Sequence, residues 1–141
     1  ETSAPRIAAG TAGGDIAVLT HTNPTAAAAA RPLREVDVPA VALKGYDGVH
    51  AGGVLCGTFQ RAKGLEFKEV LIPGLGRDVW PSRGFVPPGL GEEERAERVA
   101  TEIRKLFVGM TRARDRLVVL AVGDPCAPID GARWAMSVTE Y

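Results

Sequence analysis

Short apolar runs set among helix-forming stretches predict an α/β fold, with a mostly parallel sheet flanked by helices. Three observations carry this. Ile16 to Leu19, Pro39 to Leu43, Val54 to Phe59, Glu69 to Ile72 and Leu117 to Val122 are brief and almost continuously apolar, the pattern of strands buried on both faces. Two longer stretches of helix-forming composition lie between strand candidates, as crossover units require. At 141 residues, with 45% hydrophobic and 24% charged residues, the chain can bury one core and is too short for two.

Taken in order, residues 1–14 (ETSAPRIAAGTAGG) are small and glycine-rich and predict a flexible lead-in or linker, leaving residues 15–141 as the folded domain. Because residue 1 is Glu and not Met, the chain is expected to be a piece of something longer. After the first strand, Asn23-Pro24 predicts a helix cap with proline at the first helical position. The Ala-rich helix should run to about Glu35, with Pro32 bending or ending it. Gly52-Gly53 breaks the chain before the third strand, and Pro73-Gly74 closes the fourth.

Gly74 to Gly91 is rich in glycine and proline and predicts a long surface loop. The strongest helix signal follows. Glu92, Glu93 and Glu94 suit the positive end of a helix dipole, and Val99, Ile103, Leu106, Phe107 and Met110 recur on one face. Arg112, Arg114 and Arg116 crowd the other end, before Leu117 to Val122, the last and most hydrophobic strand. Residues 123–141 carry no clear pattern.

Lys plus Arg equals Asp plus Glu at 17 each, so no bulk positive field draws the chain onto nucleic acid. Contacts to phosphates must come from a few placed residues. Cys56 and Cys126 have no metal-ligand spacing, and Cys56, in an apolar run, reads as a buried free thiol in a reduced, cytoplasmic compartment. No apolar stretch approaches the ~20 residues of a membrane span, and no basic-then-apolar signal opens the chain. There is no G-x-x-x-x-G-K-[ST] phosphate loop, no acidic strand end to hold magnesium, no nucleophile elbow and no metal cluster. A free-standing small-molecule enzyme therefore has little support.

In open α/β sheets, ligands bind beyond the C-terminal ends of the strands. Two loops read as being of this kind: Thr58 to Phe67 (TFQRAKGLEF) and Gly109 to Arg116 (GMTRARDR). Their surroundings resemble a known family. TFQRAKGLEFKEVLIPGL resembles motif V of UvrD-like superfamily 1 DNA helicases, whose usual form is T-x-H-x-A-K-G-L-E-F. EIRKLFVGMTRARDRLVVL resembles motif VI, GRDVWPS the link between the two, and AVLTHTN a weakened motif IV.

The resemblance implies the C-terminal, second RecA-like domain of a motor that closes on ATP and steps along single-stranded DNA. Mg2+ and the phosphate loop would belong to an N-terminal RecA-like domain of the full-length chain. Arg112 resembles the arginine that reaches the γ-phosphate across the cleft, and Glu66 the glutamate that meets the nucleotide sugar. Gly64 would let backbone approach a ligand, and Lys63 would serve either the nucleotide or the loop itself. Thr58 resembles a DNA-phosphate contact, and Gln60 stands where relatives hold a DNA-side histidine. Thr20-His21 stands where many relatives have Tyr-Arg, which leaves His21 as a phosphate ligand or a partly buried histidine. Trp80 resembles an aromatic packing residue.

The stretch between Asn23 and Thr58 is too short for the large inserted subdomain of the best-known relatives, so the chain comes from a leaner branch or has had that insert deleted. An alternative expectation is a regulatory or binding module, such as an RNA-polymerase-associated motor half; repair proteins are further partners under the same resemblance.

Overall fold

Five strands form one sheet in the order β2-β3-β1-β4-β5, every pairing parallel, in a computed structural model that describes residues 15–43 and 52–139. The lead-in expected over residues 1–14 lies outside the described residues. The strands are β1 (Ile16–Thr20), β2 (Ala40–Ala42), β3 (Val54–Thr58), β4 (Phe67–Ile72) and β5 (Ala113–Val119). All residues of β1 and β3 are buried, as continuous apolar runs in a covered sheet demand. The register sets Ala17 beside both Leu55 and Val70, so β1 is central.

Helix α1 (Asn23–Glu35) connects β1 to β2 and buries Ala26, Ala30 and Leu33, one helical stripe. Its cap is Thr22, one residue before the expected Asn23. The Thr22 hydroxyl accepts from Thr25 N–H at 3.3 Å and the Thr22 N–H donates to the Thr25 hydroxyl at 3.2 Å, a reciprocal box. Pro32 does not end the helix, which runs on to Glu35. Pro32 and Ala28, whose carbonyl loses its usual donor, are both exposed, so water can serve that carbonyl. What ends the helix is the turn past its cap at Val36: Asp37 is left-handed at φ 59°, and the Val38 N–H closes on Leu33 O at 2.8 Å.

Helix α2 (Glu92–Met110) has the expected bounds and a different buried face. Leu106 is buried together with Glu102 and Gly109, whereas Ile103 is 40% and Phe107 64% exposed. The expected last strand is also shifted. β5 begins at Ala113 and ends at Val119, so Arg114 and Arg116 lie on a strand and not at a helix end. An edge strand pairs on one side only, which allows its exposed Arg114–Arg116 segment, while Val122, expected inside, is 94% exposed.

The described residues fall into two compact units. One holds those up to Pro73 together with Lys105–Val119, and so the whole sheet and α1. In it Cys56 is a buried free thiol, which desolvation pushes up to about 11 against the opposing pull of Arg34. The other unit holds Gly74–Arg104 and the described residues from Leu120 on. The segment expected to be a plain surface loop buries Leu75, Trp80 and Val86 there, and Trp80 packs as its resemblance implied. Leu75 N–H donates to Leu120 O at 3.0 Å, and Leu75 O accepts from Cys126 N–H at 2.7 Å. The tail that carried no pattern forms a short helix, α3 (Ala127–Gly131), and a 3-10 turn at Arg133–Ala135. No helix among the described residues is long and apolar enough to cross a membrane.

Candidate functional site

Arg112 occupies the two-residue turn between α2 and β5. The turn is built by the chain's own carbonyls. Thr111 N–H and hydroxyl both donate to Phe107 O at 3.0 Å, and Arg112 N–H donates to Gly109 O at 3.2 Å. Arg112 O accepts from Phe67 N–H at 2.9 Å, which joins the start of β5 to the start of β4. The half-buried guanidinium is pinned at three nitrogens. Nε donates to Val108 O at 3.1 Å, Nη1 to Leu65 O at 3.3 Å and Nη2 to Thr111 Oγ1 at 3.2 Å. Each terminal nitrogen carries two hydrogens, so these bonds leave one N–H on each.

Leu65 O belongs to the loop that holds three of the other nucleotide candidates, Lys63, Gly64 and Glu66. Glu66 is exposed, with Arg114 Nη1 at 4.0 Å from its Oε1. Arg114 also donates from Nε to Asp115 Oδ1 at 3.2 Å. That hydrogen bond and charge raise the Arg114 pKa, with Glu66 and Asp15 adding to the effect. Gly64 has φ +85°, where a side chain is strained, and open space where a Cβ would be. Lys63 is exposed two residues before Leu65.

Thr58, Gln60 and His21 form a second group. The register pairs Thr20 with Thr58 at the C-terminal ends of β1 and β3, and His21 follows directly. Thr58 is buried and its hydroxyl accepts from Arg61 N–H at 3.2 Å, while Gln60 is exposed. Thr20 is also buried, its hydroxyl donating to Thr22 O at 3.0 Å, so it is turned inward.

The expectation that both polar loops lie beyond the C-terminal ends of the strands holds where the first loop opens, directly after β3, and is corrected for its far end and for the second loop. Phe67 pairs with Ala113, so Glu66 and Arg112 stand at the N-terminal ends of β4 and β5. Thr58 and His21 stand at the opposite edge, one strand length away, about 15–20 Å. The loop from Phe59 to Glu66 runs between the two edges. Arg112 and Glu66 are brought together; His21 is not brought to them. Sequence reasoning missed Leu65 O and Arg114 as partners of the arginine and the glutamate. Backbone carbonyls leave no sequence signal, and the helical reading hid Arg114's place on a strand.

An all-parallel five-stranded sheet flanked by helices, with polar loops at both ends of its strands, is an α/β domain. The UvrD-like helicase C-terminal domain model matches residues 50–123, more than half of the 141, and the chain belongs to that family. It is 41% identical over 63 residues to DNA helicase II of Haemophilus influenzae, covering 44% of this chain and 8% of that protein. A probable DNA helicase II homolog of Rickettsia conorii is 36% identical over 70 residues, 50% of this chain and 10% of that one. The chain thus spans no more than 10% of the length of these two relatives. Among solved structures, the C-terminal domain of a possible DNA helicase from Lactobacillus plantarum matches with TM-score 0.61 at 17% identity, over 89% of this chain and 63% of that one. That likeness speaks for the fold.

Proposed function

We propose that residues 15–141 act as the second RecA-like domain of an ATP-dependent DNA helicase or translocase. The observation that carries this is Arg112, pinned to Leu65 O and Val108 O beside Glu66, with N–H groups to spare. A guanidinium is always charged and forks to two oxygens, so it suits charge spreading over a transferring phosphoryl group. ATP with Mg2+ supplies that group when bound, against the phosphate loop and metal ligands of an N-terminal RecA-like domain. The backbone bonds restrict the Arg112 side chain beforehand, which lowers the entropy lost on engaging a phosphate.

Glu66 is an exposed acceptor suited to ribose hydroxyls, and Arg114 Nη1 stands 4.0 Å from its Oε1. The open space at Gly64 lets backbone come close to a ligand, and Lys63 adds a cation to the same loop. On the opposite edge Thr58 keeps its hydroxyl proton for a DNA phosphate, with exposed Gln60 beside it. The purified chain supplies one wall of this two-walled site, so it is expected to hydrolyse no ATP. Turnover clearly above a mock-purified control sinks the proposal.

A further inference from the structure

The loop from Phe59 to Glu66 is tied to the end of α2 at two points. Phe59 is buried, and its N–H donates to Thr20 O at 2.9 Å, which fixes the ring's root to the central strand. The ring lies over Gly109, in the last turn of α2. A Cβ on Gly109 would collide with Cδ1 of that ring and stand 2.8 Å from Cε1, closer than packed carbons tolerate. From Gly109 the path is short. Its carbonyl accepts from Arg112 N–H at 3.2 Å, and Arg112 Nη1 returns to Leu65 O at 3.3 Å. Leu65 N–H bonds to Ala62 O at 2.9 Å, and Ala62 N–H to Thr58 O at 3.1 Å, next to Phe59. The contacts close into a ring of fixed geometry through buried Phe59 and buried Ala62.

We infer that Phe59 and Gly109 are positioning residues for Arg112: the aromatic ring, seated where only glycine leaves room, fixes the last turn of α2 and so the direction in which its guanidinium is delivered. Neither touches the nucleotide; both act through Arg112, and the inference rests on the reading of Arg112 as the phosphate-contacting group. Gly109 is needed here for space and not for backbone freedom. In a helix it otherwise costs stability relative to alanine, so its presence against the ring has a steric reason.

The test uses the full-length parent with Gly109→Ala, Phe59→Leu, both together, and Arg112→Ala as reference, each shown folded by circular dichroism. Gly109→Ala pushes the ring off its seat and is expected to lower kcat for ATP roughly tenfold to a hundredfold, the range a misplacement of about 1 Å produces. KM for ATP and the Kd for single-stranded DNA are expected to stay within about twofold, since ground-state binding is not the affected step. Phe59→Leu removes the ring without a clash and is expected to lower kcat about threefold or more. In the double variant the smaller Leu accommodates the new methyl, and kcat is expected to rise about fivefold over Gly109→Ala alone; two independent losses of stability would compound instead. A folded Gly109→Ala with kcat within about twofold of the parent, or no recovery in the double variant, overturns the inference while a crippled Arg112→Ala keeps the phosphate reading standing. Near-parental turnover in Arg112→Ala overturns both. If Gly109→Ala does not fold, Phe59→Leu decides, and an unchanged kcat there overturns the inference.

Discussion

In the full-length parent, Arg112→Ala is expected to cripple ATP hydrolysis and leave the fold and most DNA affinity in place. The structural cost follows from what the side chain touches: Val108 O, Leu65 O and Thr111 Oγ1, all at a half-buried position. At about 0.5–1.5 kcal/mol net per bond, discounted because the position is only half-buried, truncation costs roughly 1–2 kcal/mol. For a unit of these 141 residues that lowers Tm by several degrees without unfolding it. The kinetic cost is larger. Arginine fingers contribute on the order of 10³ to 10⁵ in rate, or roughly 4–7 kcal/mol of barrier. The two effects are separable by measuring turnover at 25 °C beside a thermal melt and a DNA titration. Arg112→Lys should rescue poorly, because a point charge replaces a fork already aimed by two carbonyls. Turnover within about threefold of the parent, where the finger accounts for a thousandfold or more, removes Arg112 from the phosphate site.

Two further outcomes concern the chain by itself. With zero net charge and few candidate phosphate contacts, it should bind single-stranded DNA only at low salt, with a shallow dependence of log affinity on log salt. A sub-micromolar Kd at physiological salt contradicts this. Cys56, pushed up to about 11 by burial, should resist a thiol reagent at pH 8 until the chain unfolds. The thiol is neutral in both states below about pH 9. Above that the unfolded thiol ionises first, so stability falls as pH rises towards 11, by up to about 2 kcal/mol, relative to Cys56→Ala. Prompt labelling of the folded chain, or equal pH slopes, contradicts the burial.

The strands β1, β3 and β4 were legible within about two residues because they are continuous apolar runs between turn signals. β5 was not. Its first half, Ala113 to Arg116, is polar because it lies on an edge, and an arginine-rich segment after a helix reads as that helix's basic end. Periodicity located α2 and misjudged its inner face, since Glu102 and Gly109 are buried while Phe107 is not. The motif residues themselves were legible. Their grouping depends on register between strands distant in sequence, and only the pairing of Phe67 with Ala113 sets Glu66 beside Arg112 and away from Thr58.

In the function proposed, Arg112 and its neighbours complete a DNA-driven ATPase whose other wall lies elsewhere in the parent protein. The decisive measurement is ATP turnover by that parent with and without single-stranded DNA. Turnover should be slow alone and rise at least about tenfold on adding the strand, because closure of the two domains on DNA delivers the arginine. A parent that hydrolyses no ATP, or hydrolyses it at the same rate whether or not single-stranded DNA is present, contradicts that function.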